Sequence, residues 1–411
     1  MMEIITGNAA VATAVKLCNV DYIPAYPITP QTEIVELLSK WISEGSMGAK
    51  FVMFESEHSM ITAAGAASLT GARTFTASSS QGLLYAFEML YNLAGWRAPI
   101  VLANVSRAVA APITMEPDHN DVLAARDSGF IQIHAETCQE VLDSVIMAYK
   151  IAEDNRVRLP AIVNLDGFYL SFTREPVSIP EQNQINDFLP EYKPIHGYLN
   201  AQNPISLAVA VLSSSAYSYF KYQLHLASLN ALKVHEEVSK EFEKIFGRKY
   251  NAIEEYMLED ADYVIVMTNS FATIGKAAIK KLHDAGKKVG LLKIRLIRPF
   301  PREEVAAKLK GKKGVAVFDQ NVSVGSGGIL YPEIVNALYH NSERPKAIVS
   351  FIGGLGGKRI SLSEFKYMLS VTETAAAEGQ VPMHSVLLFT EEDWGNVKTM
   401  LKIAGKGEVS D

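Results

Sequence analysis

The first 165 residues alternate between short, uniformly apolar runs and longer stretches that are amphipathic or rich in alanine. The apolar runs predict strands, and the longer stretches predict helices. Because the strands are apolar throughout, both of their faces should be covered, as in a doubly wound parallel α/β sheet. The predicted strands are 21–26, 50–54, 73–77, 99–105, 130–134 and 160–165, and the predicted helices are 7–18, 31–41, 61–72, 83–95 and 138–154.

A second α/β pattern follows a connector. Residues 171–203 are rich in Pro, Asn, Gln and Glu and predict an extended connection, while residues 217–260 predict a long helical region with a charged face. The later predicted strands are 263–267, 288–297, 314–319 and 345–352, the helices are 273–285, 301–309 and 328–338, and the tail 361–411 is expected to be mostly helical. The pattern divides the chain into domains 1–245 and 246–411.

Polar and glycine residues collect where strands of the first domain end. They lie in the loops 27–30, 55–58, 78–82 and 106–121. In an open α/β sheet, ligands bind outside the carboxyl ends of the strands. These four loops should therefore meet and form a site.

Glu57 stands at the start of a helix, directly after Ser56, a favourable N-cap residue. The helix behind it is built of small residues over 63–68, which would let another backbone or a flat ligand come close. One interpretation is that Glu57 complements the helix macrodipole. The other is that its carboxyl group takes part in chemistry at the mouth of the strand-to-helix turn.

Arg107 and Thr29 belong to the same predicted edge of the sheet. Arg107 would hold a carboxylate in a bidentate clamp, or it would form an ion pair with Asp118 or Glu116. Thr29 would offer its hydroxyl to a substrate, or it would cap the helix that starts at Pro30, and both roles are compatible.

The composition argues against several classes of protein. The chain has 411 residues, 48% hydrophobic and 20% charged, with a net charge of -6, so no basic nucleic-acid footprint is expected. Two cysteines are typical of a reducing cytoplasm, and they cannot ligate an iron–sulfur cluster alone. The N-terminus lacks the features of a signal peptide, and no apolar run is long enough to span a membrane.

Other familiar sites find little support in the pattern. The nine histidines show no metal-ligand spacing, and His119 beside Asp118 and Asp121 is typical of a hydrogen-bonded turn, so no metal site is expected in this chain. The glycines of 353–357 do not have dinucleotide-fingerprint spacing and favour a tight turn after a strand. No nucleophile elbow is present.

Several segments together carry a family resemblance that covers nearly the whole chain in order. The segments are Tyr26-Pro27-Ile28-Thr29-Pro30, Phe54-Glu55-Ser56-Glu57, Ser78-Ser79-Ser80-Gln81-Gly82, Arg107-Ala108-Val109-Ala110-Ala111-Pro112, Asp127-Ser128-Gly129-Phe130, the stretch from Val289 to Pro301, and Gly353-Gly354-Leu355-Gly356-Gly357. In combination they resemble the alpha subunit of a 2-oxoacid:ferredoxin oxidoreductase, of which the pyruvate enzyme is the best-known member.

The resemblance implies a thiamine diphosphate pyrimidine-binding domain followed by a transketolase C-terminal-like domain. Glu57 matches the glutamate that hydrogen-bonds N1′ of the aminopyrimidine and so promotes loss of the thiazolium C2 proton. Thr29 and Arg107 match positions that bind the carboxylate and carbonyl of the oxoacid. The matched cofactor-lining positions are Pro27, Ile28, Ser80 and Gln81.

The resemblance also implies partners, because the chain lacks parts of the chemistry. Asp166 and Gly167 are not followed by the pattern that holds Mg²⁺ and a diphosphate, and cluster cysteines are missing. The family's split enzymes place Mg²⁺ and the diphosphate on a beta subunit and 4Fe-4S clusters on ferredoxin-like gamma and delta subunits. Ferredoxin or a similar acceptor takes the electrons, and coenzyme A takes the acyl group.

The substrate follows less directly from the sequence. A neutral Thr29 suits a 2-oxo monocarboxylic acid, and pyruvate is favoured. Residues 113–119 depart from the family pattern, which expects a tryptophan-containing segment there, so an aromatic or branched oxoacid such as phenylglyoxylate is the alternative. Two further hypotheses are a non-catalytic subunit that docks partners through 217–260 and a nucleotide-dependent dehydrogenase.

Overall fold

The computed structural model describes residues 1–195, 197–207, 209–212 and 214–405. Its first half contains β1 (Met2–Thr6), α1 (Gly7–Leu17), β2 (Tyr22–Ala25), α2 (Thr32–Ser43), β3 (Lys50–Met53), α3 (Glu57–Ser68), β4 (Phe75–Ser78), α4 (Ser80–Tyr85), α5 (Phe87–Trp96), β5 (Val101–Ser106), α6 (Asn120–Ala124), β6 (Ile131–His134), α7 (Cys138–Glu153), β7 (Ala161–Asp166), β8 (Arg174–Ser178) and α8 (Gln182–Phe188).

The second half begins with one long helix and continues as strands and helices. It contains α9 (Ser214–Phe246), β9 (Ile253–Tyr256), β10 (Tyr263–Met267), α10 (Phe271–Asp284), β11 (Val289–Ile294), β12 (Leu296–Arg298), α11 (Arg302–Leu309), β13 (Gly314–Asp319), α12 (Leu330–Leu338), β14 (Ala347–Ile352), α13 (Leu362–Glu378), β15 (Val386–Leu387) and α14 (Glu391–Ile403). Two short 3-10 helices cover Ala125–Asp127 and Leu355–Gly357.

The first unit is the predicted doubly wound sheet. Its strand order is β12-β6-β7-β5-β4, with β4, β5, β7 and β6 parallel and β12 antiparallel. Strands β2 and β3 form a parallel pair beside it, linked to β4 by a bridge between Tyr22 and Thr74. One apolar core lies around α1 and α7, and another around α3 and α5, so helices cover both faces.

The second unit is a six-stranded sheet in the order β15-β14-β13-β10-β11-β9. Every pairing in it is parallel except that of β9 with β11. The two units share a continuous core, because buried residues of α3 and α5 belong to the same apolar cluster as Val264 and Leu292. Strand β12 extends the first sheet with a segment from the second half of the chain.

Local capping follows the sequence at some helices and departs from it at α2. Ser56 caps α3 as predicted, since its hydroxyl oxygen accepts from the amide of Ser59 at 3.2 Å. The predicted cap at Thr29 is wrong. Helix α2 begins at Thr32 after Gln31, whose amide donates to the Ile28 carbonyl at 3.0 Å and closes a turn before the helix.

Three other predictions need correction where distant pairing decided the structure. The connector 171–203 contains β8, which pairs antiparallel with β1, and the short helix α8. The helical region 217–260 ends at Phe246, and β9 occupies Ile253–Tyr256. The predicted helix 83–95 is two helices, α4 and α5, joined at Ala86.

Among the described residues, no helix combines the length and apolar character needed to cross a bilayer.

Candidate active site

Glu57 lies at the first turn of α3, directly beyond strand β3. Its side chain is buried, with a relative exposure of 6%. Within the described part of the chain, no hydrogen bond or ion pair to its carboxylate is found. A buried carboxylate without a protein partner is costly unless a bound group satisfies it.

Gly82 of α4 makes room for that carboxylate. A β-carbon placed on Gly82 would lie 2.9 Å from Cδ of Glu57 and 3.0 Å from its Cγ, which is closer than ordinary contact. Elsewhere on α3 the small residues serve helix packing. A β-carbon on Gly65 would lie 2.6 Å from Leu93 of α5, so the close approach expected there is made by another helix.

Arg107 follows β5 and points its guanidinium toward two other site loops. Its Nη1 donates to the Thr29 carbonyl at 2.8 Å, and its Nη2 donates to Oε1 of Gln81 at 2.5 Å. The structure thus brings three of the predicted site residues together. Burial lowers the pKa of Arg107, which the nearby Asp121 carboxylate opposes.

The alternative in which Arg107 pairs with Asp118 or Glu116 is wrong. Asp118 instead accepts from the amide of Asn120 at 3.0 Å and closes a turn. In the described chain no carboxylate forms a salt bridge with the Arg107 guanidinium, and its Nε is buried without a partner. An anion approaching the guanidinium would therefore displace no salt bridge formed by the described residues.

Thr29, Ser80 and Gln81 contribute in different ways. Thr29 offers its backbone carbonyl to Arg107, while Gln81 offers its side-chain oxygen. The Ser80 hydroxyl lies within hydrogen-bonding distance of the Ala108 carbonyl at 2.9 Å and of Gln81 at 2.5 Å. Ser80 therefore shapes the turn between the strands.

Pro27 and Ile28 lie farther out on the same rim, Pro27 exposed and Ile28 half-buried. Glu57 lies next to the same group of residues. It contacts Gly82, and the preceding residue, Gln81, is hydrogen-bonded to Arg107. The predicted convergence of loops 27–30, 55–58, 78–82 and 106–121 is thus present.

Two residues whose roles the sequence does not predict also belong to the site, Asp121 and Gly82. The sequence favours a hydrogen-bonded turn containing His119 and Asp121, but the Asp121 carboxylate lies under the site and accepts from the amides of Ser80 and Arg107. An acidic residue in the first turn of a helix is a usual sequence feature. Only the fold reveals which donors it meets.

The second unit holds the loop that follows Arg107. The amide of His119 donates to the Gln320 carbonyl at 2.9 Å, and the amide of Gly357 donates to the Pro117 carbonyl at 2.8 Å. A β-carbon on Gly357, whose φ is +75°, would lie 2.6 Å from Glu116. The glycine turn at 353–357 therefore serves close backbone packing against this loop.

His119 also links the two units through Asp166 at the end of β7. Its Nε2 lies 2.8 Å from Oδ1 of Asp166, which accepts from Nδ2 of Asn269 at 3.1 Å. The amide and hydroxyl of Ser270 bond the other oxygen. Burial lowers the pKa of His119, but Asp166 outweighs it, and the pKa lies above its ordinary value.

Three carboxylates elsewhere, two of them buried and one half-buried, come close enough to suggest a metal site. Ligand atoms of Glu136, Glu140 and Glu254 lie within 4.8 Å of one another. Lys293, fully buried, lies 2.8 Å from Glu136 and 2.6 Å from Glu140, and Arg295 lies 2.5 Å from both Glu140 and Glu254. These cations balance the carboxylates, so the cluster is an ion-pair network between the units.

The fold and the loop arrangement define a thiamine diphosphate-type α/β domain followed by a transketolase C-terminal-like domain. Residues 13–240 match the family described as pyruvate flavodoxin/ferredoxin oxidoreductase, thiamine diphosphate-binding. Residues 261–365 match pyruvate:ferredoxin oxidoreductase core domain II. The chain belongs to the 2-oxoacid:ferredoxin oxidoreductase family, as an alpha subunit of this multisubunit enzyme.

Curated relatives are similar over nearly their whole length. The chain is 42% identical to pyruvate synthase subunit PorA of Methanothermobacter thermautotrophicus, over 91% of this chain and 96% of the relative. It is 44% identical to the subunit of the same name from Methanocaldococcus jannaschii, over 91% of this chain and 95% of that relative. It is also 40% identical to ketoisovalerate oxidoreductase subunit VorA of Pyrococcus abyssi, over 96% and 98%.

Two solved structures share the fold at low identity. A 2-oxoglutarate:ferredoxin oxidoreductase from Magnetococcus marinus, solved with 2-oxoglutarate, coenzyme A and succinyl-CoA bound, aligns at a TM-score of 0.67 and 19% identity, over 92% of this chain and 65% of that one. A split-gene transketolase, described as an inactive beta4 tetramer, aligns at a TM-score of 0.53 and 12% identity. The alignment covers 92% of this chain and 99% of that one. These similarities support the two-domain α/β architecture.

Proposed function

We propose that this subunit takes part in the coenzyme A-dependent oxidative decarboxylation of a 2-oxo monocarboxylic acid, with pyruvate favoured. In the balanced reaction, the oxoacid and coenzyme A give an acyl-CoA thioester, CO2 and a proton, and two one-electron acceptors of the ferredoxin type are reduced. The curated relatives named as pyruvate synthase subunits support the choice of pyruvate. The relative named for ketoisovalerate, at 40% identity, keeps a branched oxoacid as the second candidate.

The observation that carries the proposal is the placement of two charged groups, neither with a salt bridge among the described residues, on either side of Gln81 and Gly82. Glu57 is a buried carboxylate without a protein partner, and Arg107 is a buried guanidinium whose Nε lacks one among the described residues. A carboxyl group at a buried helix start suits an aminopyrimidine nitrogen. A guanidinium fork suits the carboxylate of an oxoacid.

Thiamine diphosphate, when bound, would supply the nucleophilic carbon and the electron sink for decarboxylation. Glu57 would hold the aminopyrimidine and share a proton with its ring nitrogen. Arg107 would bind the substrate carboxylate, and Thr29, half-buried beside it, would orient the carbonyl. Pro27, Ile28, Ser80 and Gln81 would form the wall against which cofactor and substrate lie.

The diphosphate and its Mg²⁺ are assigned to a beta subunit. Asp166 is the carboxylate best placed at a strand end, but both its oxygens are already bonded, to His119, Asn269 and Ser270. It therefore has little capacity left for a metal ion. Ferredoxin-like gamma and delta subunits would carry the 4Fe-4S clusters, consistent with the two buried, unpaired cysteines of this chain.

The test is an assay of the assembled native complex. Pyruvate, 2-oxoisovalerate, phenylglyoxylate and 2-oxoglutarate are offered with coenzyme A and a low-potential dye, and oxoacid-dependent dye reduction is expected to be fastest with pyruvate. Glu57→Gln in the same complex should abolish it. Full activity of that variant would favour a subunit that only docks partners. Tight binding of NAD or NADP would favour a dehydrogenase.

A further inference from the structure

Asp121, in the first turn of α6, is a fully buried carboxylate surrounded by donors. Its Oδ2 accepts from the amide of Ser80 at 2.9 Å and from the amide of Arg107 at 3.2 Å. Its Oδ1 accepts from the hydroxyl of Ser106 at 3.1 Å and from the amide of Val122 at 2.7 Å. An ionised carboxylate offers enough lone pairs for all of these bonds.

The donors come from the ends of two neighbouring parallel strands. Ser80 follows β4, and Arg107 follows β5, so one side chain joins the two loops that face the candidate site. Asn104 of β5 adds a further donor, with its Nδ2 at 3.1 Å from Oδ2 of Asp121. The carboxylate thus fixes the spacing between the loops from below.

Ser80 needs such support because its backbone has a φ of +48°. This left-handed conformation is costly for a residue with a β-carbon. The bond from its amide to Asp121 and the contact of its hydroxyl with the Ala108 carbonyl hold the turn in place. This turn places the side-chain oxygen of Gln81 where it accepts a hydrogen bond from the Arg107 guanidinium.

We propose that Asp121 is a positioning residue for the oxoacid: it holds Arg107 by its backbone and, through the Ser80 turn, places Gln81 against the same guanidinium. The inference rests on the proposed function of Arg107. Asp121 itself is buried beneath the site and acts only through these neighbours. A misplacement of about 1 Å in such a group can cost on the order of a hundredfold in rate.

The surroundings require a carboxylate rather than an amide. The backbone amides bonded to Asp121 and the Nδ2 of Asn104 can only donate, so an asparagine would turn its N–H2 group toward at least one N–H. A buried donor without an acceptor destabilises the folded arrangement. The expected local response is a shift of the Ser80 turn and of the Arg107 backbone.

The experiment compares Asp121→Asn with Asp143→Asn in the assembled complex. Asp143 is a matched control, since it is equally buried and accepts from Arg248 at 2.6 Å and Tyr250 at 2.7 Å, away from the site. We expect Asp121→Asn to raise KM for the preferred oxoacid about tenfold or more, with a smaller fall in kcat. Asp143→Asn should lower the thermal midpoint without changing KM.

Equal loss of thermal stability in both variants with an unchanged KM would overturn the inference. If Asp121→Asn does not assemble, Ser106→Ala removes one donor to the same carboxylate and should raise KM in the same direction by a smaller factor. An unchanged KM in that variant would overturn it as well.

A crystal structure of the complex carrying either variant separates this inference from the proposed function. The guanidinium of Arg107 and the side chain of Gln81 should be displaced relative to the wild type. Their unchanged positions would refute the positioning role of Asp121. Absence of turnover with every oxoacid in the wild-type complex would instead refute the proposed reaction. The positions of Arg107 and Gln81 in the variant structures would still decide whether Asp121 positions them.

Discussion

The carboxylate of Glu57 packs against the bare α-carbon of Gly82, on a different helix. Any β-carbon at position 82 would come within 2.9 Å of the Glu57 carboxyl carbon. The first turns of α3 and α4 are therefore fitted to each other at this point. The lack of space requires glycine at position 82. The backbone conformation does not, since the φ of Gly82 lies outside the left-handed region.

Gly82→Ala should displace the Glu57 carboxylate and strongly reduce turnover of the complex. The added methyl group has no space unless the glutamate rotates away from its position, which would weaken its contact with an aminopyrimidine. Oxoacid-dependent dye reduction and the affinity for thiamine diphosphate are the measurements. Both are expected to fall by at least about tenfold, as for a group misplaced by about 1 Å.

Gly95→Ala is the matched control for that substitution. Gly95 lies in α5, and no atom lies within 4 Å of the position that its β-carbon would take. Alanine there should leave activity unchanged and stabilise the helix by about 0.5–1 kcal/mol. Activity of Gly82→Ala equal to that of Gly95→Ala would show that the tight fit is not used.

The sequence predicted the fold because its local signals agreed with the tertiary structure. Apolar strands alternated with helices, and Ser56 was a favourable cap that the structure uses. The loops at the strand ends carried the polar residues, so their convergence followed from the topology of parallel sheets alone. The family resemblance then assigned chemistry to these positions.

The errors occur where distant contacts decide the outcome. Strand β9 contains Glu254, whose charge is balanced by Lys293 and Arg295, far along the chain. Threonine is a favourable helix-cap residue, yet Thr29 does not cap α2, and its carbonyl accepts a hydrogen bond from Arg107. No local pattern could reveal that Asp121 joins the loops after two strands, because the donors that join them, Ser80 and Arg107, act through backbone amides, which almost every residue has.

Arg107→Lys should raise KM for the oxoacid while changing kcat less. Lysine keeps the charge but loses the planar fork that also binds the Thr29 carbonyl and Gln81. One charge-assisted hydrogen bond is worth about 1.5–3 kcal/mol, which corresponds to roughly 10- to 150-fold in affinity. Steady-state kinetics with the preferred oxoacid measure the effect.

Arg344→Lys is the control for Arg107→Lys, because Arg344 is exposed and donates to the Tyr339 carbonyl at 3.0 Å outside the site. Its kinetics should match the wild type. An unchanged KM in Arg107→Lys would contradict binding of the substrate carboxylate by the guanidinium.

Lys293→Met should destabilise the complex more than any exposed lysine substitution. Lys293 is fully buried between Glu136 and Glu140, and its removal leaves these two buried carboxylates with only Lys276 and Arg295 as cation partners. Breaking such a pair on one side costs about 3–5 kcal/mol. Thermal unfolding of the complex should show a clearly lower midpoint.

Lys280→Met tests the contrast, since Lys280 makes an exposed pair with Asp284 at 3.1 Å, a type of pair worth about 0.3–0.5 kcal/mol. The double variant Lys293→Met, Glu140→Gln should recover part of the lost stability, because it also removes one of the carboxylate charges that Lys293 balances. Recovery of the midpoint by added Zn²⁺ or Mg²⁺ in Lys293→Met would instead show that the carboxylates can hold a metal ion.

His235→Leu should make the protein less sensitive to acid. His235 is buried on α9, and burial, with a contribution from Arg295, lowers its pKa from 6.5 to about 3. Between these values the unfolded chain binds a proton that the native state does not, so stability falls as the pH falls. From pH 7 to pH 5 this group contributes a loss of about 2 kcal/mol. The thermal midpoint of the complex at both pH values, compared with that of the exposed His340→Leu control, measures the effect, and an equal drop in both variants would contradict it.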